Sequence, residues 1–188
     1  MPRAALTAQE IESFRQRAVE AATRLFAEQG YEAVSIRAVA RAVGVSAMTP
    51  YRYFDNKDEL FAHVRAAAFR RFADAQQVAF ESTTNARARL RALGLAYVEH
   101  ALAEPDAYRI MFELSQAPAG TYPELDAESA RAFSLLVRAV EAVVADDALT
   151  AAHLAWAQVH GLVSLHLAGK LQMRRSLDEL VAAALEAV

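Results

Sequence analysis

Nowhere along this chain do apolar and polar residues alternate with a period of two. They recur at helical spacing throughout, which confines the chain to an all-α fold. Capping residues mark the helix limits. Thr7-Ala-Gln-Glu10 reads as a capping box. Behind it, Ile11, Phe14, Ala18, Ala21, Ala22, Leu25 and Phe26 share one face until Gly30 stops the helix. Ser35 caps a short helix from Ile36 to Ala42, with Gly44 just beyond it. Ser46 is expected to cap another, about Ala47 to Tyr53. Asn56-Lys-Asp-Glu59 resembles a capping box with Asn in the first place, and opens a long helix to about Phe80. Further helices are predicted over 86–103, over 105–115 with Pro105 in the first turn, and from Pro123 to about Ala145. Pro118 and Gly120 mark a loop from Ala117 to Tyr122. Thr150 is expected to cap a helix ending at Gly169, and Ser176-Leu-Asp-Glu179 to box the last one. The result is about nine helices, a compact N-terminal head of three followed by a helical body.

Of the 188 residues, 55% are apolar, with a strong share of alanine, which supplies a core and favours helix. The absence of cysteine rules out disulfides, thiolate metal sites and cysteine nucleophiles. The net charge of −3 divides unevenly. Residues 1–70 hold ten basic and eight acidic side chains, whereas residues 71–188 hold ten and fifteen. A basic head on an acidic body fits a module that faces nucleic acid, although a balance of +2 is weak evidence alone. Met1 to Gln9 lacks the apolar run of a signal peptide. Ala148 to Gly169 contains no Asp, Glu, Lys or Arg and is long enough to cross a bilayer. Thr150, His153, Gln158, His160, Ser164 and His166 interrupt it, so a helix buried between protein surfaces is the better reading. A soluble, cytoplasmic protein without membrane contact is expected.

Ala42-Val-Gly-Val-Ser46 joins two short helices with a glycine, a following apolar residue and a cap, the parts that a helix-turn-helix needs. The turn alone serves an ordinary core hairpin equally well. The segment after it decides: Thr49, Tyr51, Arg52 and Tyr53 crowd onto barely two turns, where a core helix would not place hydroxyls, a guanidinium and phenols. Such groups contact phosphates and fix register on a duplex. Lys57, in the first turn of the next helix, adds its charge to a positive helix end, an arrangement suited to a phosphate.

At these residues the chain resembles the TetR family of bacterial transcription regulators. The likeness runs from about Ala18 to Phe61, through Ala22-Thr-Arg-Leu-Phe-Ala-Glu-Gln-Gly-Tyr-Glu-Ala-Val-Ser-Ile-Arg-Ala-Val-Ala, then Gly44-Val-Ser, then Tyr51-Arg-Tyr-Phe-Asp-Asn-Lys-Asp-Glu-Leu60. The resemblance implies a helix-turn-helix DNA-binding domain over residues 8–56 and an effector-binding and dimerisation domain over 57–188. By position, Tyr51 and Lys57 match phosphate contacts, assisted by Ser35, Ser46 and Thr49, with Arg52 and Tyr53 in the same row. Arg37 matches a position that reaches a guanine edge, for which arginine is best suited. Ala47 and Met48 face bases and can read a thymine methyl. Phe26, Val39, Val45 and Phe54 belong to the core. Pro50 departs from the leucine more usual in the family and removes a backbone donor early in the recognition helix.

Trp156-Ala-Gln-Val-His-Gly161-Leu-Val-Ser-Leu165 resembles a TetR C-terminal subgroup named for its Trp, His and Gly. Gly161 would permit close backbone approach by a partner helix. Family dimers pair their last two helices, and here Leu154, Leu162, Leu165, Leu177, Leu180 and Val181 are the interface candidates. Tyr97, Tyr108, Met111, Phe112, Phe133, Trp156 and His160 are candidates to line an effector pocket, the alternative for each being plain core. Tyr97, Tyr108, Trp156 and His160 stand out because each carries a polar group that needs a partner when buried. The histidines lack the acidic neighbours of a metal site. No phosphate loop, nucleophile elbow or catalytic acid pair is present, so an enzyme is not expected. The expected partners are operator DNA, a second copy of the chain and a small, largely apolar effector that releases DNA. Repression is the family's default, and no cofactor is called for.

Overall fold

The computed structural model describes residues 7–112, 118, 120–172 and 174–186, and these form eight α-helices and one 3₁₀ turn, with no strand among them. The helices are α1 (Ala8–Ala33), α2 (Ile36–Val43), α3 (Lys57–Glu81), α4 (Ala86–Ala103), α5 (Pro105–Phe112), α6 (Pro123–Glu141), α7 (Ala148–Leu167) and α8 (Leu177–Glu186). The expected boxes form: the Thr7 hydroxyl accepts from the Glu10 amide while the Glu10 carboxylate accepts from the Thr7 amide, and Ser176 and Glu179 repeat the exchange. Asn56 Oδ1 accepts from the Glu59 amide at 2.9 Å, but the Glu59 carboxylate reaches back to the Asp55 amide instead of closing a true box. Gly30, at φ +76° and ψ 165°, breaks α1 where the sequence places a stop.

Three boundaries differ from the sequence reading. The helix expected over Ala47–Tyr53 is a 3₁₀ turn, Pro50–Arg52. Pro50 has no N–H to give to the Ser46 carbonyl, so the backbone closes shorter bonds, Thr49 to Ser46 at 2.9 Å and Arg52 to Thr49 at 3.1 Å. The cap of α7 is Asp147 rather than Thr150. Asp147 sits in the left-handed region and its carboxylate accepts from the Thr150 amide; hydrogen bonding by the Thr150 side chain, and then by that amide, lowers its pKa. Helix α6 stops at Glu141, short of Ala145. The expected end of α5 at residue 115 lies outside the described residues.

The chain divides into two compact units, Met1–Ala68 with Asp106–Asp126, and Phe69–Pro105 with Ala127–Val188. In the first, Phe14, Ala18, Ala22 and Phe26 of α1 pack with Ile36 and Val39 of α2, Phe54, and Leu60, Phe61 and Val64 of α3. The α1 stripe therefore buries against both other elements of the head. Val45 joins this core from its edge, as the residue that pins a helix-turn-helix crossing should. In the second, α7 packs on α8, and α4 on both. A cluster of Phe80, Leu90, Leu93, Leu135, Ala139, Val140 and Ala152 fills its centre. Gly94 sets the approach of α8 to α4: a Cβ there would collide with the Leu185 side chain. No described helix is long and apolar enough to cross a membrane.

Candidate nucleic-acid interface and effector site

The head is assembled from short-range chemistry. Ser35 caps α2 by accepting from the Ala38 amide at 3.2 Å. Gly44 takes the left-handed conformation at φ +76°, and the Val45 amide returns to the Ala40 carbonyl at 3.0 Å. This closure ends α2 and turns the chain, and it needs glycine because a Cβ is strained there. Ser46 Oγ and Thr49 Oγ1 are 2.8 Å apart, so the two hydroxyls hold each other at the start of the next segment.

Pro50 and Phe54 are buried and anchor the 3₁₀ turn, whereas Ala47, Met48, Tyr51 and Arg52 are exposed, as are Ser35, Arg37 and Ser46. Met48 is 68% exposed and Tyr51 44%. Thr49 is half-buried. Tyr53 is placed differently from its neighbours: it is half-buried and its ring stacks on Phe14, with centroids 4.2 Å apart, so it ties the turn to α1. Lys57 is also engaged within the protein. Its Nζ donates to the Tyr31 carbonyl at 3.0 Å and lies 4.1 Å from the centre of the Tyr31 ring, while the Tyr31 hydroxyl donates to Asp58. Tyr31, the residue after the Gly30 break, thus aims the lysine. An ammonium has three donors, so this bond leaves others for a phosphate.

Of the seven candidate effector residues, four come together in the second unit. Tyr97 Oη and His160 Nδ1 are 2.8 Å apart, Trp156 lies 5.7 Å from His160 centre to centre, and Phe133 packs on Trp156 at 6.0 Å. His160 Nε2 faces Ser164 Oγ at 3.5 Å. Phe72 meets the edges of both Tyr97 and His100. His100 carries a buried Nε2 without a hydrogen-bond partner, and burial pushes its pKa below the usual value, against the opposing pull of Glu104. The sequence reading missed His100 and Phe72: His100 follows Tyr97 by three residues on α4, but the approach of Phe72 from α3 is a tertiary fact. Tyr108, Met111 and Phe112 lie in the first unit. Tyr108 and Met111 are buried, and the Tyr108 and Phe112 rings are 5.1 Å apart.

The first unit also holds a cavity of about 320 Å³ that the sequence did not announce, lined by Asp55, Glu59, His63, Tyr122 and Glu124 among others. His63 Nδ1 is 3.1 Å from Glu124, and burial beside Asp58 and Glu59 raises the Tyr122 pKa. Among the described residues no cluster of His, Asp or Glu could hold a metal ion. Of the interface candidates, Leu154 (63%) and Leu165 (44%) are exposed, Leu162 and Leu180 are half-buried, and Leu177 and Val181 are already buried within this chain. Among the described residues, no atom beyond its own helix backbone lies within 4 Å of where a Cβ on Gly161 would sit.

A glycine-closed turn between α2 and an exposed 3₁₀ segment, in a chain whose other described elements are all helices, defines a helix-turn-helix protein. Comparison with known proteins is specific. Residues 18–64 match the family model described as bacterial regulatory proteins, tetR family, and residues 90–188 match the one described as tetracyclin repressor-like, C-terminal domain. The chain belongs to the TetR family of DNA-binding transcription regulators. It is 29% identical to the HTH-type transcriptional activator FasR of Mycolicibacterium smegmatis over 145 residues, 77% of this chain and 65% of that protein, and so spans less than two thirds of that relative. A solved protein of unknown function from Rhodococcus sp. RHA1 superposes with a TM-score of 0.81 at 28% identity, covering 100% of this chain and 96% of its own. A protein named as regulatory, SCO4313, gives 0.80 at 26%, covering 97% and 98%.

Proposed function

We propose that this chain binds a pseudo-palindromic operator as a homodimer, with residues 8–56 as the DNA-binding domain and 57–188 as the effector-binding and dimerisation domain. In this reading it is a cytoplasmic repressor without catalytic activity, and its body is of the Trp-His-Gly subgroup through Trp156, His160 and Gly161. The observation that carries the reading is the exposed rim of Arg37, Ala47, Met48, Tyr51 and Arg52 beside a glycine-closed turn. A thioether and a phenol held in water by a buried proline and phenylalanine gain most when a duplex covers them. Lys57 and the helix end beneath it supply the phosphate contact, with Ser35, Ser46 and Thr49 beside it. Two such rims bound to half-sites one or more DNA turns apart, roughly 34 Å per turn, require the symmetric dimer.

A small, largely apolar effector, held by Tyr97, Phe133, Trp156 and His160 of the second unit or by Tyr108, Met111 and Phe112 of the first, would favour a conformation with lower DNA affinity. By reciprocity DNA then weakens effector binding by the same factor. Fluorescence anisotropy on the DNA upstream of its own gene tests the regulator. Binding should be tight, specific and strongly salt-dependent, and Tyr51→Phe should weaken it without lowering Tm. Salt-independent binding, or equal affinity of both proteins, would refute the phosphate contact. Arg37→Ala should relax preference at one base pair per half-site, by about 1–3 kcal/mol.

A further inference from the structure

Helix α3 is buried on almost every side between Leu60 and Phe69, where Phe61, Val64 and Ala66 leave it little contact with solvent. Arg65 sits inside this stretch and is only 4% exposed, so its long side chain does not carry the guanidinium out to water. Its Nη2 donates to the Met111 carbonyl of α5 at 2.9 Å. Its Nε–H is buried and has no acceptor. Among the described residues no carboxylate pairs with it, although Arg70, Arg71, Arg131 and Arg175 all have acidic partners. Arg65 is also the one fully buried charge among the described residues. Burial lowers its pKa, but a guanidinium stays protonated at any ordinary pH.

A buried cation with one neutral acceptor and an idle donor is costly unless an anion meets it. We propose that Arg65 anchors the carboxylate of the effector, which makes the effector an amphiphilic monocarboxylic acid with an apolar body. This inference rests on the effector-release reading above and specifies its ligand. A guanidinium pairs with two-oxygen anions in a planar, directional way. One buried cation matches a single negative charge; a dianionic phosphate would bring a second charge with no buried partner. The same turn of α5 supplies buried Tyr108 and Met111, with Phe112 beside Tyr108, for the apolar part. Arg65 lies eight residues beyond Lys57 on α3, about 12 Å along one helix, so an acid pulling on Arg65 acts on the element that carries the phosphate contact.

The test uses the full chain with sodium decanoate and, as its uncharged counterpart, 1-decanol, in thermal-shift and titration measurements on wild type, Arg65→Met and Arg65→Lys. Decanoate should raise the wild-type Tm with concentration and bind at least about tenfold more tightly than to Arg65→Met, while decanol binds both alike. Ligand-free Arg65→Met should keep or gain Tm, because an apolar side chain of similar length replaces an uncompensated charge. Arg65→Lys, which retains the cation, should keep the preference for decanoate. Equal binding of decanoate and decanol to wild type would overturn the assignment. So would undiminished decanoate binding by Arg65→Met, which would leave Arg65 only as a tie between α3 and α5. Operator binding measured without acid separates the two readings: a wild type that binds DNA but not decanoate refutes the ligand and spares the regulator.

Discussion

The turn at residues 44–57 and helix α7 are both rich in exposed or half-buried large side chains, yet they reveal their roles to different degrees. In the turn, each large exposed residue has its own chemistry: the Arg52 guanidinium, the Tyr51 phenol, the Met48 thioether; α2 adds the Arg37 guanidinium. The partner's chemistry follows from theirs. Along α7 the exposed large apolar residues are Leu149, Leu154 and Leu165, and leucine says only that something apolar should cover it. A directional surface names its partner, whereas a greasy one names only a class.

That contrast can be tested in order of effect. Phe54→Ala removes a ring 1% exposed from the centre of the head. It should cost about 3–5 kcal/mol, lowering Tm and operator binding together, because the rim depends on its anchor. A protein that keeps both would show the rim to be held by something other than the core beneath it. Leu154→Asp with Leu165→Asp should turn the proposed dimer into a monomer in sedimentation, at little cost to the fold since both side chains are exposed in this chain. Operator affinity should fall with the loss of the second head. A dimer that survives would move the interface off α7. The smallest effect concerns pH. Burial depresses the His100 pKa below its ordinary value of 6.5. The unfolded chain therefore takes up this proton before the folded one, and stability should decline as pH falls below about 6.5. His100→Phe should flatten that decline in denaturant titrations at pH 7.5 and 5.5; an unchanged slope would place its cause elsewhere.

Much of the fold was legible because it rests on local rules. Thr7, Ser35, Asn56 and Ser176 cap helices, and Gly30 and Gly44 end them, since a cap needs only a side-chain oxygen and a nearby amide. Pro50 was legible as a disturbance, but its outcome was not. Whether a proline at that position leaves a tight-started helix or a 3₁₀ turn depends on how Pro50 itself packs, and it is buried. Tyr53 read as part of the rim because phenols suit phosphates; only the neighbouring α1 helix, which brings Phe14 beneath it, turned it inward. Likewise Leu177 and Val181 carried no sign that their own chain would cover them.

The sequence by itself determined that this chain is all helix, where most of those helices begin, and that its head presents a turn with a polar rim. Periodicity and capping act within a few residues, and so they can be read from a few residues. Tertiary structure decided which polar groups are left buried and short of partners. His100 beside Phe72, Tyr31 beneath Lys57 and the idle Nε–H of Arg65 come from helices distant in sequence meeting one another. The free energy of a buried charge depends on everything around it, which no single segment of the chain contains.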